Sequence, residues 1–210
     1  MVSLLADVLS SVAANAVLFL SVPLVWWVVA HRKKVNFFAF VGFVMPARRS
    51  PWWVFVVFAV GYLVLSFAFF RVGIRGEWGM HETNQVYQFV GMGVAALLPG
   101  LILNFVANGL LEEAFFRGFL LKRLAVRLGT WPAIVIQGVL FGLLHSALLL
   151  MIGFDFEINY YIVAFLGPTI FGMLMGILNE KLFDGRSVIP SVLLHGAGNF
   201  VVTVWVAFTL

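Results

Sequence analysis

Three short stretches of an otherwise apolar chain carry residues that could do chemistry. They read Leu110-Leu111-Glu112-Glu113-Ala114-Phe115-Phe116-Arg117, Phe141-Gly142-Leu143-Leu144-His145 and His195-Gly196-Ala197-Gly198-Asn199. A charge inside a membrane span costs roughly 2.5–3.5 kcal/mol on insertion scales, so each such group needs a partner or a job. Glu113 and Arg117, at i and i+4, can pair along one helix face. Glu112 is offset by about 100° and points elsewhere. A self-satisfied ion pair therefore accounts for Glu113 and Arg117 but leaves Glu112 unexplained. His145 taken alone fits a packed, hydrogen-bonded core histidine. His195 and Asn199 taken alone fit a polar contact between helices, with the intervening glycines letting another backbone come close. Together, a carboxylate facing an imidazole can take a proton from a water held between them. A His/Asn pair opposite can donate hydrogen bonds to an oxygen that becomes negative. That is equipment for amide hydrolysis. A covalent nucleophile is not indicated: the chain has no Cys, and Ser146, next to His145, cannot face it on a helix.

The elements that must carry these residues follow from composition. Of 210 residues, 63% are hydrophobic and only 10% are charged, and the mean hydropathy is +1.07. Soluble domains are roughly 45–50% apolar and about 25% charged. The chain is expected to be an all-α, polytopic transmembrane bundle, one integral membrane domain over 1–210 with its motif-bearing core at about 99–210. The lack of Cys excludes disulfides, thiolate catalysis and Cys-bearing metal sites. The net charge of +4 belongs to the cytosolic rim of a bilayer protein rather than to a nucleic-acid binder.

Apolar runs predict spans at Val8–Ala30, Pro51–Phe70, Trp131–Ile152, Tyr160–Leu178 and Val188–Leu210. The region Val86–Leu121 is long for one span of about 20 residues and short for two. It predicts a half-buried or broken segment, then a helix from Pro99 to Arg123. This makes about six full spans within a total of six to eight helices. Polar loops are expected at Arg71–Gln85, Phe154–Asn159 and Lys181–Ser187. Six crossings put Arg32, Lys33, Lys34, Arg48, Arg49, Lys122, Arg123, Arg127, Lys181 and Arg186 on one side. The other side takes Arg71 and Arg75 with Asp7, Glu77, Glu82, Asp155 and Glu157. The positive-inside rule then makes the first side cytosolic and leaves both termini outside. The apolar stretch Asn36–Met45 between two basic clusters is expected to lie along the cytosolic interface, and most Trp and Phe residues are expected to face lipid or the interface. His31 and His81 are assigned no role.

Depth joins the clusters. At about 1.5 Å per residue, Glu112 lies on the order of 15 Å from the cytosolic end, His145 about 20 Å, His195 near 10 Å and Asn199 near 16 Å. Three helices from distant parts of the chain thus place polar groups in one half of the bilayer, which points to a shared cavity.

In this order the clusters match the motifs EExxxR, FxxxH and HxxxN. Over roughly Pro99–Leu210 the chain resembles the CAAX protease and bacteriocin-processing (CPBP, or Abi) family of intramembrane endopeptidases, which includes relatives of the type II CAAX prenyl endopeptidase. The resemblance implies a glutamate-dependent hydrolase without a cofactor. Glu112 would be the general base and His145 would hold or help activate the water. His195 and Asn199 would stabilise the oxyanion, and Glu113 and Arg117 would support the motif helix. The substrate would be a membrane-associated peptide or protein: a prenylated CAAX terminus or a pheromone or bacteriocin precursor. Two alternatives stay open. One is a zinc metalloprotease using Glu112, His145 and His195 as ligands, although no HExxH is present. The other is a non-catalytic immunity factor or scaffold.

Overall fold

A computed structural model describes residues 2–75, 85–152 and 158–210. Among the described residues the secondary structure is helical, with one isolated antiparallel bridge between Arg48 and Phe183. Six stretches are long and apolar enough to cross a bilayer. They are α1 (Val2–Ala30), α3 (Trp52–Arg75), α4 (Gly93–Leu128), α5 (Thr130–Ile152), α6 (Ile158–Ile177, prolonged by a wide π turn Leu178–Leu182) and α7 (Ile189–Thr209). Between the first two lies the short α2 (Phe37–Phe40).

The expected bundle of six spans is present, with its boundaries moved. The broken segment before Pro99 is a pair of 3₁₀ turns, Gln85–Phe89 ahead of α4 and Gly93–Ala96 at its start. Pro99 is tolerated because it falls in the first turn that follows, where its missing N–H leaves no gap. α3 runs on to Arg75, so Arg71 is helical rather than in a loop, with its guanidinium 4.7 Å from the Trp205 ring centre. α6 likewise takes in Lys181 and begins at Ile158. Glu77, His81, Glu82, Asp155 and Glu157 lie outside the described residues.

α5 and α6 are held together by glycine. On α5 Gly138 faces Gly172 of α6 and Gly142 faces Phe165 and Thr169, while Gly176 of α6 faces Ile134 and Gln137. A Cβ on Gly172 would stand 3.1 Å from the Gly138 Cα, and one on Gly142 would collide with the Thr169 hydroxyl and the Phe165 carbonyl. Lipid offers no hydrophobic drive for helices to associate, so close backbone approach through small residues supplies the packing energy. Seven of the phenylalanines are core: Phe19, Phe40, Phe89, Phe116, Phe119, Phe141 and Phe183 are buried. Tryptophan behaves as expected, with Trp26, Trp52, Trp53 and Trp131 exposed on the outer surface.

One end of the bundle gathers the basic residues. The segment before α3 and the α6–α7 loop are stitched by backbone hydrogen bonds: Asp184 N–H donates to Ala47 O at 2.9 Å, Arg49 N–H to Leu182 O at 2.9 Å, and Val188 N–H to Gly42 O at 2.9 Å. Lys122 of α4 pairs with Glu180 at the end of α6. The Arg123 guanidinium lies 4.1 Å from the Phe40 ring centre, and the Lys181 ammonium 4.8 Å from that of Trp131. Nearby, Asn36 caps α2 by accepting from Ala39 N–H at 2.8 Å. Phe38 and Met45 are left outward while Phe40 is buried, an arrangement suited to an interfacial segment. Single cysteines at Lys33, Arg48 and Arg186 of this Cys-free chain should react with an impermeant maleimide only after cells are opened. Labelling in intact cells would invert the assigned orientation.

Candidate active site

The site begins in α4, where the helix is not uniform. A single α turn, Leu111–Glu113, sits between two π-helical segments, Ile102–Leu110 and Ala114–Leu121. Widened turns change the direction in which successive side chains point and concentrate at functional sites. Side chains meet the carbonyls of these segments: Asn15 Nδ2 donates to Ala107 O at 3.1 Å, and Arg123 Nη1 to Gly118 O and Phe119 O at 3.0 and 3.1 Å.

Glu113 and Arg117 pair as expected, Nη1 to Oε1 at 2.9 Å, both almost fully buried. The pair does more than close on itself. His195 Nδ1 stands 3.0 Å from the same Glu113 oxygen, and because a carboxylate only accepts, that nitrogen carries the proton. Arg117 Nη2 also donates to Gly172 O of α6 at 3.2 Å. Glu113 and Arg117 thus join the EExxxR helix directly to the HxxxN helix and to α6.

Phe141 brings in the third motif. Its ring centre lies 4.8 Å from that of Phe116, 4.4 Å from His145 and 6.2 Å from His195, and the Arg117 guanidinium lies 4.7 Å from it. The buried faces of all three motifs therefore meet on one aromatic ring. His145 is half-buried, and its Nδ1 donates to the Phe141 carbonyl at 2.8 Å. Both imidazoles are therefore fixed through Nδ1, which leaves Nε2 as the nitrogen available for chemistry.

Glu112 is buried beside this network, within electrostatic range of His195, Glu113 and Arg117. Its Oε2 is a buried acceptor with no protein donor. Among the described residues no direct hydrogen bond joins Glu112 to His145. Asn199 is half-buried one turn beyond His195 on α7. Of the glycines between them, Gly196 is packed against the Phe105 ring and Gly198 against Tyr62, and the α4 backbone comes close to Gly196, a Cβ on Gly109 standing 3.5 Å from its N. Ser146 donates to the Tyr161 carbonyl at 3.3 Å, away from any nucleophilic role. Among the described residues no group of three His, Asp or Glu side chains, Glu112, His145 and His195 included, is placed to hold a metal ion.

Sequence inspection missed Gln137 and Tyr62. Gln137 is fully buried, and its Nε2 donates to Gly172 O at 2.8 Å and to Ile134 O at 3.0 Å. It therefore shares the α6 carbonyl used by Arg117. A lone amide two turns before His145 in an apolar helix was the available signal. Tyr62 is buried on α3 against Gly198, and nothing in its local sequence marks it.

Removing one partner of a buried pair leaves an uncompensated charge, at a cost of about 3–5 kcal/mol. Arg117→Met should therefore lower the thermal unfolding midpoint in detergent sharply. The double change Arg117→Met with Glu113→Gln should recover part of the loss, because neither charge is then stranded. Equal midpoints for the single and double variants would remove the pair from its central place.

A family model described as type II CAAX prenyl endopeptidase Rce1-like matches residues 94–201. No curated protein and no solved structure matches the chain. The family match takes in half of the sequence and every residue of the three motifs, from Glu112 to Asn199. The chain belongs to the type II CAAX prenyl endopeptidase Rce1-like family and is a multi-pass membrane protein of a membrane-embedded protease family.

Proposed function

We propose that the protein is a glutamate-dependent intramembrane endopeptidase that hydrolyses a peptide bond near the end of a membrane-associated peptide or protein. The observation that carries this reading is the difference between two adjacent carboxylates. Each keeps a buried Oε2 without a hydrogen-bond partner, but Glu113 is held through Oε1 by Arg117 and His195, whereas among the described residues no protein donor or cation pairs with Glu112. A buried acceptor of that kind needs a water or a ligand.

Glu112 takes a proton from that water, and the hydroxide attacks the scissile carbonyl carbon. Nε2 of His145, the nitrogen not bound to Phe141, accepts from the same water and orients it. The carbonyl π bond opens to a tetrahedral oxyanion. Asn199 donates to it from its amide, and His195 donates from Nε2 when doubly protonated, with Glu113 at Nδ1 as counter-charge. Glu112 then returns its proton to the leaving nitrogen as the C–N bond breaks. No metal or covalent intermediate is required.

The family name points to a CAAX terminus, in which a prenylated cysteine is followed by three residues that are released. Pheromone or bacteriocin precursors are the other substrate class this reading covers. The site lies in the cytosolic half of the membrane if both termini are outside.

The mutants should rank. Glu112→Gln keeps the shape but removes the base, so cleavage should fall to background at normal abundance. His145→Ala should behave similarly. Asn199→Ala removes one oxyanion donor and should cost roughly 10²–10³ in turnover. EDTA should leave cleavage intact. Full biological function with Glu112→Gln at normal protein level would make this a binding protein or scaffold instead.

A further inference from the structure

Glu113 uses its two oxygens unequally. Oε1 takes Arg117 Nη1 at 2.9 Å and His195 Nδ1 at 3.0 Å, whereas Oε2 is buried without a hydrogen-bond partner. Rotation of a carboxylate about its last bond has a broad, two-fold profile, so contacts at one oxygen leave its plane loosely set. A donor at Oε2 would fix the plane, and with it the imidazole that Oε1 orients.

One side chain is placed to be that donor. Ser191 lies four residues before His195 on α7, hence on the same face, and is fully buried. Its hydroxyl stands against the Glu113 carboxylate closely enough to interact with it. The end of α6 anchors the oxygen: Asn179, buried in the wide turn Leu178–Leu182, donates to it from Nδ2 at 2.7 Å. A hydroxyl that accepts in this way still has one hydrogen to give. That hydrogen goes to Val188 O at 3.0 Å. The Val188 carbonyl does not depend on it, because Val192 N–H already donates to the same oxygen at 2.9 Å. Turning the hydroxyl away from Val188 therefore strands no acceptor, and it supplies the donor that Glu113 Oε2 lacks. The Tyr62 hydroxyl, which also lies near this carboxylate, is taken up by Ser66.

We propose that Ser191, anchored by Asn179, is a positioning residue for His195: its hydroxyl turns from Val188 O to Glu113 Oε2 and holds the carboxylate with Oε1 toward Nδ1. The inference rests on the protease reading above, in which His195 donates to the oxyanion from Nε2. In this role Ser191 touches neither the water nor the substrate and acts through Glu113. A carboxylate fixed at both oxygens cannot swing away while His195 serves the oxyanion, so the effect falls on the transition state. It should appear in kcat and leave KM alone.

The test measures turnover of an S-farnesyl peptide ending in Cys-Val-Ile-Ala by the full-length protein in phosphatidylcholine nanodiscs. Ser191→Ala should lower kcat about tenfold at unchanged KM, the size of one hydrogen bond to a charged group. Ser191→Thr, which keeps the hydroxyl, should recover most of the loss. Because Ser191→Ala also strands the Asn179 amide, it is paired with Asn179→Leu: the thermal midpoint should rise again while kcat stays low. A second measurement is independent of turnover. In protein labelled at the histidine ring nitrogens for solid-state NMR, the His195 signals are those lost in His195→Gln. The unaltered protein should show Nδ1 as a bound N–H, and Ser191→Ala should add a population with the proton on Nε2 alone. Unchanged kcat in Ser191→Ala overturns the proposal, as does a kcat that recovers with the midpoint in the paired variant. A kcat loss without the second histidine form also overturns it, because Ser191 then does not act through His195. If the unaltered protein leaves the peptide uncut but Ser191→Ala still brings the second form, the protease reading fails and the positioning of His195 stands. If Glu112→Gln abolishes cleavage while Ser191→Ala changes neither measurement, the protease stands and the positioning role falls.

Discussion

A carboxylate sealed away from water must be neutralised by its surroundings, and Glu113 makes this demand at the centre of the bundle. It is fully buried, with Arg117 and His195 on the same oxygen. Taking charges out of water costs several kcal/mol per ion, and attraction offsets that only with good geometry and further hydrogen bonds. Arg117 therefore also needs acceptors, and it finds the Gly172 carbonyl and the face of Phe141. That carbonyl is within reach because glycines let α5 and α6 approach closely. The helices that carry the motifs are set relative to one another by the requirements of one ion pair.

The same demand separates the roles of neighbouring residues. Glu112 and Glu113 adjoin in sequence and each keeps a buried Oε2 without a hydrogen-bond partner, yet only Glu113 is tied, through Oε1, to Arg117 and His195. An isolated pair would be a structural feature. Under the proposed mechanism the buried pair is the fixed frame and Glu112 the reactive group, the arrangement that pre-organised catalysis needs. The imidazoles follow the same logic. His145 is pinned to a backbone carbonyl and His195 to Glu113, both through Nδ1, so the free nitrogen of each is defined by a contact outside the reaction.

Much of this was legible in the sequence, for a physical reason. Charges in apolar runs are costly, so Glu112, Glu113, Arg117, His145 and His195 stood out, and long apolar runs marked the spans. The Glu113–Arg117 contact followed from helical spacing alone. The π-helical turns around Glu112 did not, because they depend on partners such as Asn15, far away in sequence. Nor did the bond from His195 to Glu113, since spacing constrains only one helix at a time. Which phenylalanines are core was not legible, because hydrophobicity is the same toward lipid and toward the core. Only the packing partners, as with Phe116 and Phe141, tell the two apart.

The extent of the family match has a structural counterpart in how α1 to α3 grip the rest. The match covers residues 94–201 and leaves these helices outside. At three contacts the motif-bearing half supplies a backbone group or a glycine. Asn15 reaches the Ala107 carbonyl, Val41 presses its carbonyl on Gly118, and Tyr62 lies against Gly198. A glycine at 118 is needed for any backbone to come so close, while Val41 also buries its side chain with Ala114 and Phe119. A carbonyl at 107 needs a donor and no particular donor. The N-terminal helices therefore hold the motif-bearing helices partly through backbone contacts, which constrain their side chains weakly, and partly through buried apolar packing, which constrains side-chain volume.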